Sequence, residues 1–169
     1  MESPTAEQLE ATRVARFATM NARTDTFAAQ SVLPNAGLVV RKVLGAGIVS
    51  DTKARPSTIL VDHPFSMTLV EIPPGQAAPL HAHATEEVFF IVEGRVTFFW
   101  GDEGEHQIEM GRYDTVTMPK HVFRAFENRT DQTARMMVTV GGGADEVRNS
   151  VTYAPDVVAA ARAAGVTLD

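Results

Sequence analysis

The segment Gly75-Gln-Ala-Ala-Pro-Leu-His81-Ala-His83-Ala-Thr-Glu-Glu87-Val-Phe-Phe-Ile-Val-Glu-Gly94 constrains this chain more than any other. On an extended backbone successive side chains alternate, so His81 and His83 share one face. Glu87 follows where a run of β-branched and aromatic residues begins, and glycines mark a turn at each end. Two imidazoles and a carboxylate held on sheet form a ligand set suited to Fe(II), Mn(II), Ni(II) or Zn(II), with positions left open for substrate.

Composition narrows the alternatives. The 169 residues are enough for one ordinary domain with its own core, and 44% apolar with 21% charged residues is a globular balance. A formal charge of −6, without any Lys/Arg run, disfavours nucleic-acid or anionic-membrane partners. The absence of cysteine excludes disulfides, thiolate ligands and cysteine nucleophiles, leaving His and carboxylate as the strong metal ligands. Residues 1–7 lack the basic and apolar regions of a secretory signal, and no apolar stretch has the length of a membrane span. The expectation is a soluble cytoplasmic protein.

Periodicity divides the chain into three parts. Residues 1–24 read as a helix, with Thr5 and Gln8 as a capping box and a partial stripe of Leu9, Val14, Phe17 and Met20. Residues 37–140 carry about ten short β-rich runs separated by Gly, Pro and Asp: 37–44, 57–61, 66–72, 78–83, 87–93, 95–100, 105–110, 114–118, 121–127 and 134–140. That spacing implies an all-β barrel or sandwich. Residues 154–165 form a second helix, opened by Pro155 and Asp156 and closed by Gly165. The runs 88–92 and 96–100 are apolar on both faces, so a terminal helix or a second subunit covers the outer one, and a homodimer is the expectation.

The spacing Gly75, His81, His83, Glu87 and Gly94 resembles the first sequence motif of the cupins. The resemblance implies a double-stranded β-helix barrel with the three ligands facing its interior. A looser second motif runs Tyr113, Asp114, Pro119, His121, Arg124 and Asn128. The two regions, from Pro74 to Asn128, span about a third of the chain. Two departures stand out: Tyr113 and His121 occupy positions where the family usually has glycine, and Arg124 stands at the fourth metal-ligand position. A guanidinium stays protonated and does not bind a metal.

Three readings of the site follow. In one, His81, His83 and Glu87 alone hold the ion, Fe(II) foremost, and Arg124 binds an anionic substrate beside it. In another, a bend after Pro119 brings His121 in as a fourth ligand, which requires a bulge because strand parity opposes His121 to Arg124. In the third, Arg124 pairs with Glu87 and the site is a metal-free anion pocket. Phe89, Met118 and Phe126 are candidates for contact with a small-molecule ligand, and Ile91, Val122 and Tyr113 for lining the barrel. His63 and His106 read as loop and surface residues, Glu86 as facing outward, and Gly141 to Glu146 as a strand exit rather than a phosphate loop.

The resemblance further implies single-domain cupins similar to quercetinase-type dioxygenases. The functional expectation is therefore a metal-dependent dioxygenase acting on a small anionic, oxygenated, possibly aromatic compound. The alternatives are a non-catalytic small-molecule-binding cupin and a metal-assisted isomerase or lyase.

Overall fold

The computed structural model of the protein describes residues 3–26, 33, 35–45, 57–141 and 151–168. Helix α1 (Ala6–Arg13) opens with the expected capping box between Thr5 and Gln8. It ends at Arg13, well short of residue 24, and a 3₁₀ turn follows at Phe17–Thr19. The reason lies in the stripe. Leu9 and Val14 are five apart, so they do not share a helical row, and no residue of α1 is buried.

The strands are β1 (Val39–Leu44), β2 (Phe65–Ile72), β3 (Ala77–His83), β4 (Glu87–Glu93) and β5 (Val96–Trp100). They continue as β6 (His106–Met110), β7 (Thr115–Met118), β8 (Arg124–Glu127), β9 (Ala134–Gly141) and β10 (Val151–Tyr153). Two five-stranded antiparallel sheets result, ordered β1-β2-β9-β4-β7 and β10-β3-β8-β5-β6. Their inner faces meet in a core that includes Val70, Ile72, Phe89, Ile91, Val96, Phe98, Phe126, Met136 and Val138. Three phenylalanine rings lie at its middle, Phe89–Phe98 at 5.0 Å and Phe126 at 6.0 Å from each.

Several sequence expectations need correcting. Residues 57–61 make only a single bridge, Ile59 to Leu44, and Leu60 is exposed. The run 121–127 is strand only from Arg124, because residues 119–123 turn. β10 was absent from the expected strands and pairs with β3 at the site end of its sheet. Tyr113 does not line the barrel: it is 63% exposed and stacks on Phe90. Of the stretch 141–146, Gly141 ends β9 and the rest lies outside the described residues.

Helix α2 (Pro155–Ala163) buries Val157 and Ala161, one turn apart, and packs with Leu80 of β3 and with Phe123. Its end is closed by Gly165 at φ 76°, with Val166 N–H donating to the Ala161 carbonyl. The helix thus covers the outer side of β3. Phe90, on the outer side of β4, is left 39% exposed beside Tyr113.

Two glycines of the first motif are required by conformation. Gly75 and Gly94 have φ of 72° and 78°. A Cβ on Gly94 would lie 2.9 Å from the Ala134 Cα, so the β4–β5 turn sits directly against β9. We expect Gly94→Ala to destabilise the protein by about 2 kcal/mol, since a left-handed alanine costs roughly 1–2 kcal/mol before any displacement of β9. Urea unfolding measures this; a loss below about 0.5 kcal/mol would refute the close approach.

Candidate metal centre

The site occupies one end of the interior and draws on both sheets. β3 and β8 are paired with Ala78 opposite Phe126 and His81 opposite Arg124. The interval is three residues on β3 and two on β8, so Pro79 and Leu80 form a bulge. Without that extra residue, His81 and His83 would point out of the barrel while Ala78 pointed in. The bulge therefore sets the inward face of both histidines. Glu87 begins β4 in the other sheet, in register with Val140 of β9 and Met118 of β7.

One ligand atom from each of His81, His83 and Glu87 lies within 4.8 Å of the others. His83 and Glu87 are each 1% exposed, whereas His81 is half-buried. His81 Nδ1 lies 2.7 Å from the Pro79 carbonyl, within the bulge itself. That contact places the ring proton on Nδ1 and leaves the Nε2 lone pair for an ion. Both ring nitrogens of His83 are buried and have no hydrogen-bond partner. An unpartnered buried imidazole is costly, and an ion between the three groups would satisfy it. The donor set thus fits a divalent metal.

Arg124 is fully buried beside this cluster. Its Nε donates to Glu87 Oε2 at 3.1 Å and its Nη1 donates to the Val122 carbonyl at 2.9 Å. Nη2 is buried and has no partner. The pair with Glu87 is a single hydrogen bond rather than a bidentate fork, so one edge of the guanidinium stays available to a ligand. The cluster of His81, His83 and Glu87 is common to the first reading, and the Arg124–Glu87 hydrogen bond is the feature of the third.

The site's electrostatics follow from burial. Desolvation lowers His81 to about 4, with the Arg124 charge adding to the effect. Desolvation, His81 and Arg124 together lower His83 to about 2. Both imidazoles are therefore neutral and able to bind an ion. Burial raises Glu87 to about 7 against the opposing pull of Arg124.

His121 lies outside the cluster. It is exposed, in a left-handed turn with φ 64°, and its backbone N–H donates to the His83 carbonyl. Its contribution there is main-chain: it ties the β7–β8 turn to the strand bearing the histidines. Tyr113, the other residue standing at a family glycine position, is likewise left-handed at φ 73°. Met118 is level with Glu87 across the β4–β7 pair, while Phe89 and Phe126 lie one inward position deeper, in the aromatic floor. Asn128 is buried and structural, donating to the Ile72 and Gln132 carbonyls. His63 is a loop residue against Phe65, and His106 and Glu86 are exposed.

Sequence reasoning missed two parts of this region. Tyr153 of β10 is in register with His81, their rings 6.3 Å apart. Ser66 of β2 is in register with Val140, and so stands in the same inward row as Glu87. The signal for Ser66 was available, since Ser66 and Thr68 alternate with Met67 and Leu69. Alternation alone assigns such polar residues to solvent, and here they face inward.

Comparison with known proteins agrees with this geometry. Residues 68–140 match the family model for the Cupin domain. Three solved structures share the architecture. The polyketide cyclase RemF from Streptomyces resistomycificus has a TM-score of 0.59 at 18% identity, covering 84% of each chain. The DMSP lyase DddQ from Ruegeria pomeroyi DSS-3 has a TM-score of 0.59 at 20% identity, covering 80% of this chain and 61% of that one. A Cupin 2 conserved barrel domain protein from Salinispora arenicola CNS-205 has a TM-score of 0.57 at 16% identity, covering 81% and 96%. No curated protein matches the sequence. Residues 68–140 thus resemble a Cupin domain and the two sheets form a cupin-like sandwich, and at these identities the likeness to the solved structures is one of fold.

Two outcomes follow from the buried charges. Arg124→Met leaves Glu87 buried without its cation, and should cost about 3 kcal/mol in urea unfolding; a joint Glu87→Gln change should recover much of that. If the single and double variants lose the same amount, the pair is not coupled. For the metal-free protein, both histidines bind protons more weakly in the folded state, so their stabilisation is lost as pH falls below 6.5. Glu87 binds its proton more tightly when folded, so its contribution declines as pH rises from 4.5 to about 7. Two protons oppose one. Stability should therefore rise between pH 4.5 and 6.5 by on the order of 1 kcal/mol per pH unit. Thermal melts in chelator across that range would show a flat or falling profile if the site ionises otherwise.

Proposed function

We propose that this protein is a divalent-metal enzyme acting on a small anionic, oxygen-rich compound, with oxygenation of an aromatic or enolic substrate as its reaction. The observation that carries the reading is the doubly unpartnered, buried imidazole of His83 beside His81 and Glu87. Fe(II) is the ion of choice for a two-histidine, one-carboxylate set, with Mn, Ni and Zn as alternatives. When bound, such an ion supplies Lewis acidity and, as Fe(II), a site where dioxygen and substrate meet.

The chain's own residues have separate tasks. His81 and His83 stay neutral through burial and present their lone pairs. Arg124 keeps Glu87 in place through Nε and offers Nη2 to an anionic oxygen of the substrate. The aromatic floor of Phe89 and Phe126 excludes water from below, which strengthens those polar contacts.

A second reading is metal-assisted cyclisation, elimination or isomerisation without oxygen, with the same ion as Lewis acid. Structures with this fold include ones named as a cyclase and a lyase.

Elemental analysis of the protein, as purified and after anaerobic Fe(II) addition, tests the common basis. About one metal per chain is expected, lost in His81→Ala and retained in His121→Gly. No divalent metal after reconstitution would overturn the proposal in favour of a metal-free binding protein. Oxygen uptake by the Fe(II) form with catechols, flavonols and β-diketones supports oxygenation; turnover that is unchanged without oxygen transfers the assignment to the second reading.

A further inference from the structure

The interior face of β2 departs from what a packed core requires. Its inward positions near the site are Ser66 and Thr68, at 2% and 3% exposure, while Met67 and Leu69 face the other way. A strand that only needed to bury one face would place these residues in the opposite register. The Ser66 hydroxyl is buried and has no hydrogen-bond partner, an arrangement that costs roughly 1–3 kcal/mol when nothing satisfies it. Register fixes its direction. Ser66 is opposite Val140, and Val140 is opposite Glu87, so all three side chains enter the barrel in one row.

We infer that Ser66 determines specificity: its hydroxyl binds a second oxygen of the substrate, remote from those that face His81, His83 and Glu87. The inference rests on the function proposed above and narrows its substrate class. Ser66 and Glu87 are two strand spacings apart, about 9.5 Å between backbones. The side chains of one row stand parallel, so two substrate oxygens in contact with them lie between roughly 4 Å apart, if both ~2.8 Å contacts point inward along the row, and about 9.5 Å apart. That range exceeds the separation of a vicinal chelating pair and includes the distance between oxygens across a six-membered ring. Val140 lies between, an apolar step suited to the body of the ring. With the free Nη2 of Arg124, the interior offers two hydrogen-bond donors in addition to the ligand cluster. The substrate class is therefore a ring with adjacent oxygens at one edge and a further hydroxyl or carbonyl opposite.

The test uses the full chain loaded with Zn(II), which is redox-silent, and two matched probes. 4-Methylcatechol has no distal oxygen, and 3,4-dihydroxybenzyl alcohol carries a hydroxyl on the equivalent carbon. Calorimetric titration of the wild type should favour the alcohol by about 3- to 10-fold, the range expected of one neutral hydrogen bond. Ser66→Ala should abolish that preference with zinc content unchanged. Ser66→Cys, which keeps the volume but weakens the hydrogen bond, should behave like Ser66→Ala. A preference that survives both substitutions, or an equal weakening of both probes, overturns the role of Ser66 while leaving the metal-enzyme reading intact. If the zinc-loaded wild type binds neither probe, the ring-chelating reading falls as well, and this inference with it.

Discussion

Glu87 of β4 and Arg124 of β8 belong to different sheets, and their contact is a charged bridge across the interior of the sandwich. Desolvating two charges is expensive, and one hydrogen bond between them does not repay it through stability alone. The surroundings make the pair tenable. The Val122 carbonyl accepts a second guanidinium N–H, and His83 lies 3.6 Å from the same carboxylate oxygen. Much of the local architecture follows from holding these groups at the required places. The bulge in β3 aligns His81 with Arg124, the His121 main chain anchors the strand bearing His83, and the left-handed turn at that point accommodates both.

The interior is thereby graded along the barrel. At one end Phe89, Phe98 and Phe126 interlock with Ile72, Ile91 and Met136, giving the close packing that stabilises the sandwich. At the other, the inward rows change to Ser66, His81, His83, Glu87 and Arg124, whose polar atoms include several without partners. Such atoms are uneconomical for a fold and suited to a binding site, because a ligand can supply the missing contacts with little rearrangement. The strained φ values at Tyr113 and His121 fall in the turns flanking β7, which leads into the site.

How much was apparent beforehand varied with the range of the interaction. The capping box of α1, the termination of α2 and the glycines bounding the first motif are local, and Thr5, Gln8, Gly165, Gly75 and Gly94 stand where such reasoning puts them. Alternation correctly placed His81 with His83 and turned Glu86 outward. It gave no reading for Ser66, whose hydroxyl is buried on the inward face, and it failed at Tyr113, whose aromatic ring suggested core. It also gave no sign of β10, a short strand that owes its existence to pairing with β3.

By itself, the sequence determined the secondary-structure class and singled out His81, His83 and Glu87 as a candidate ligand cluster, because both depend on residue type and on short spacing along the chain. It left Arg124 ambiguous among three roles. Only the tertiary structure decided that the guanidinium binds Glu87 through one nitrogen, keeps another free, and shares an enclosed space with the bare imidazole of His83. The physical reason is that these groups come from strands in different sheets. Their distances are set by register, bulge and sheet packing, which no spacing along the chain records.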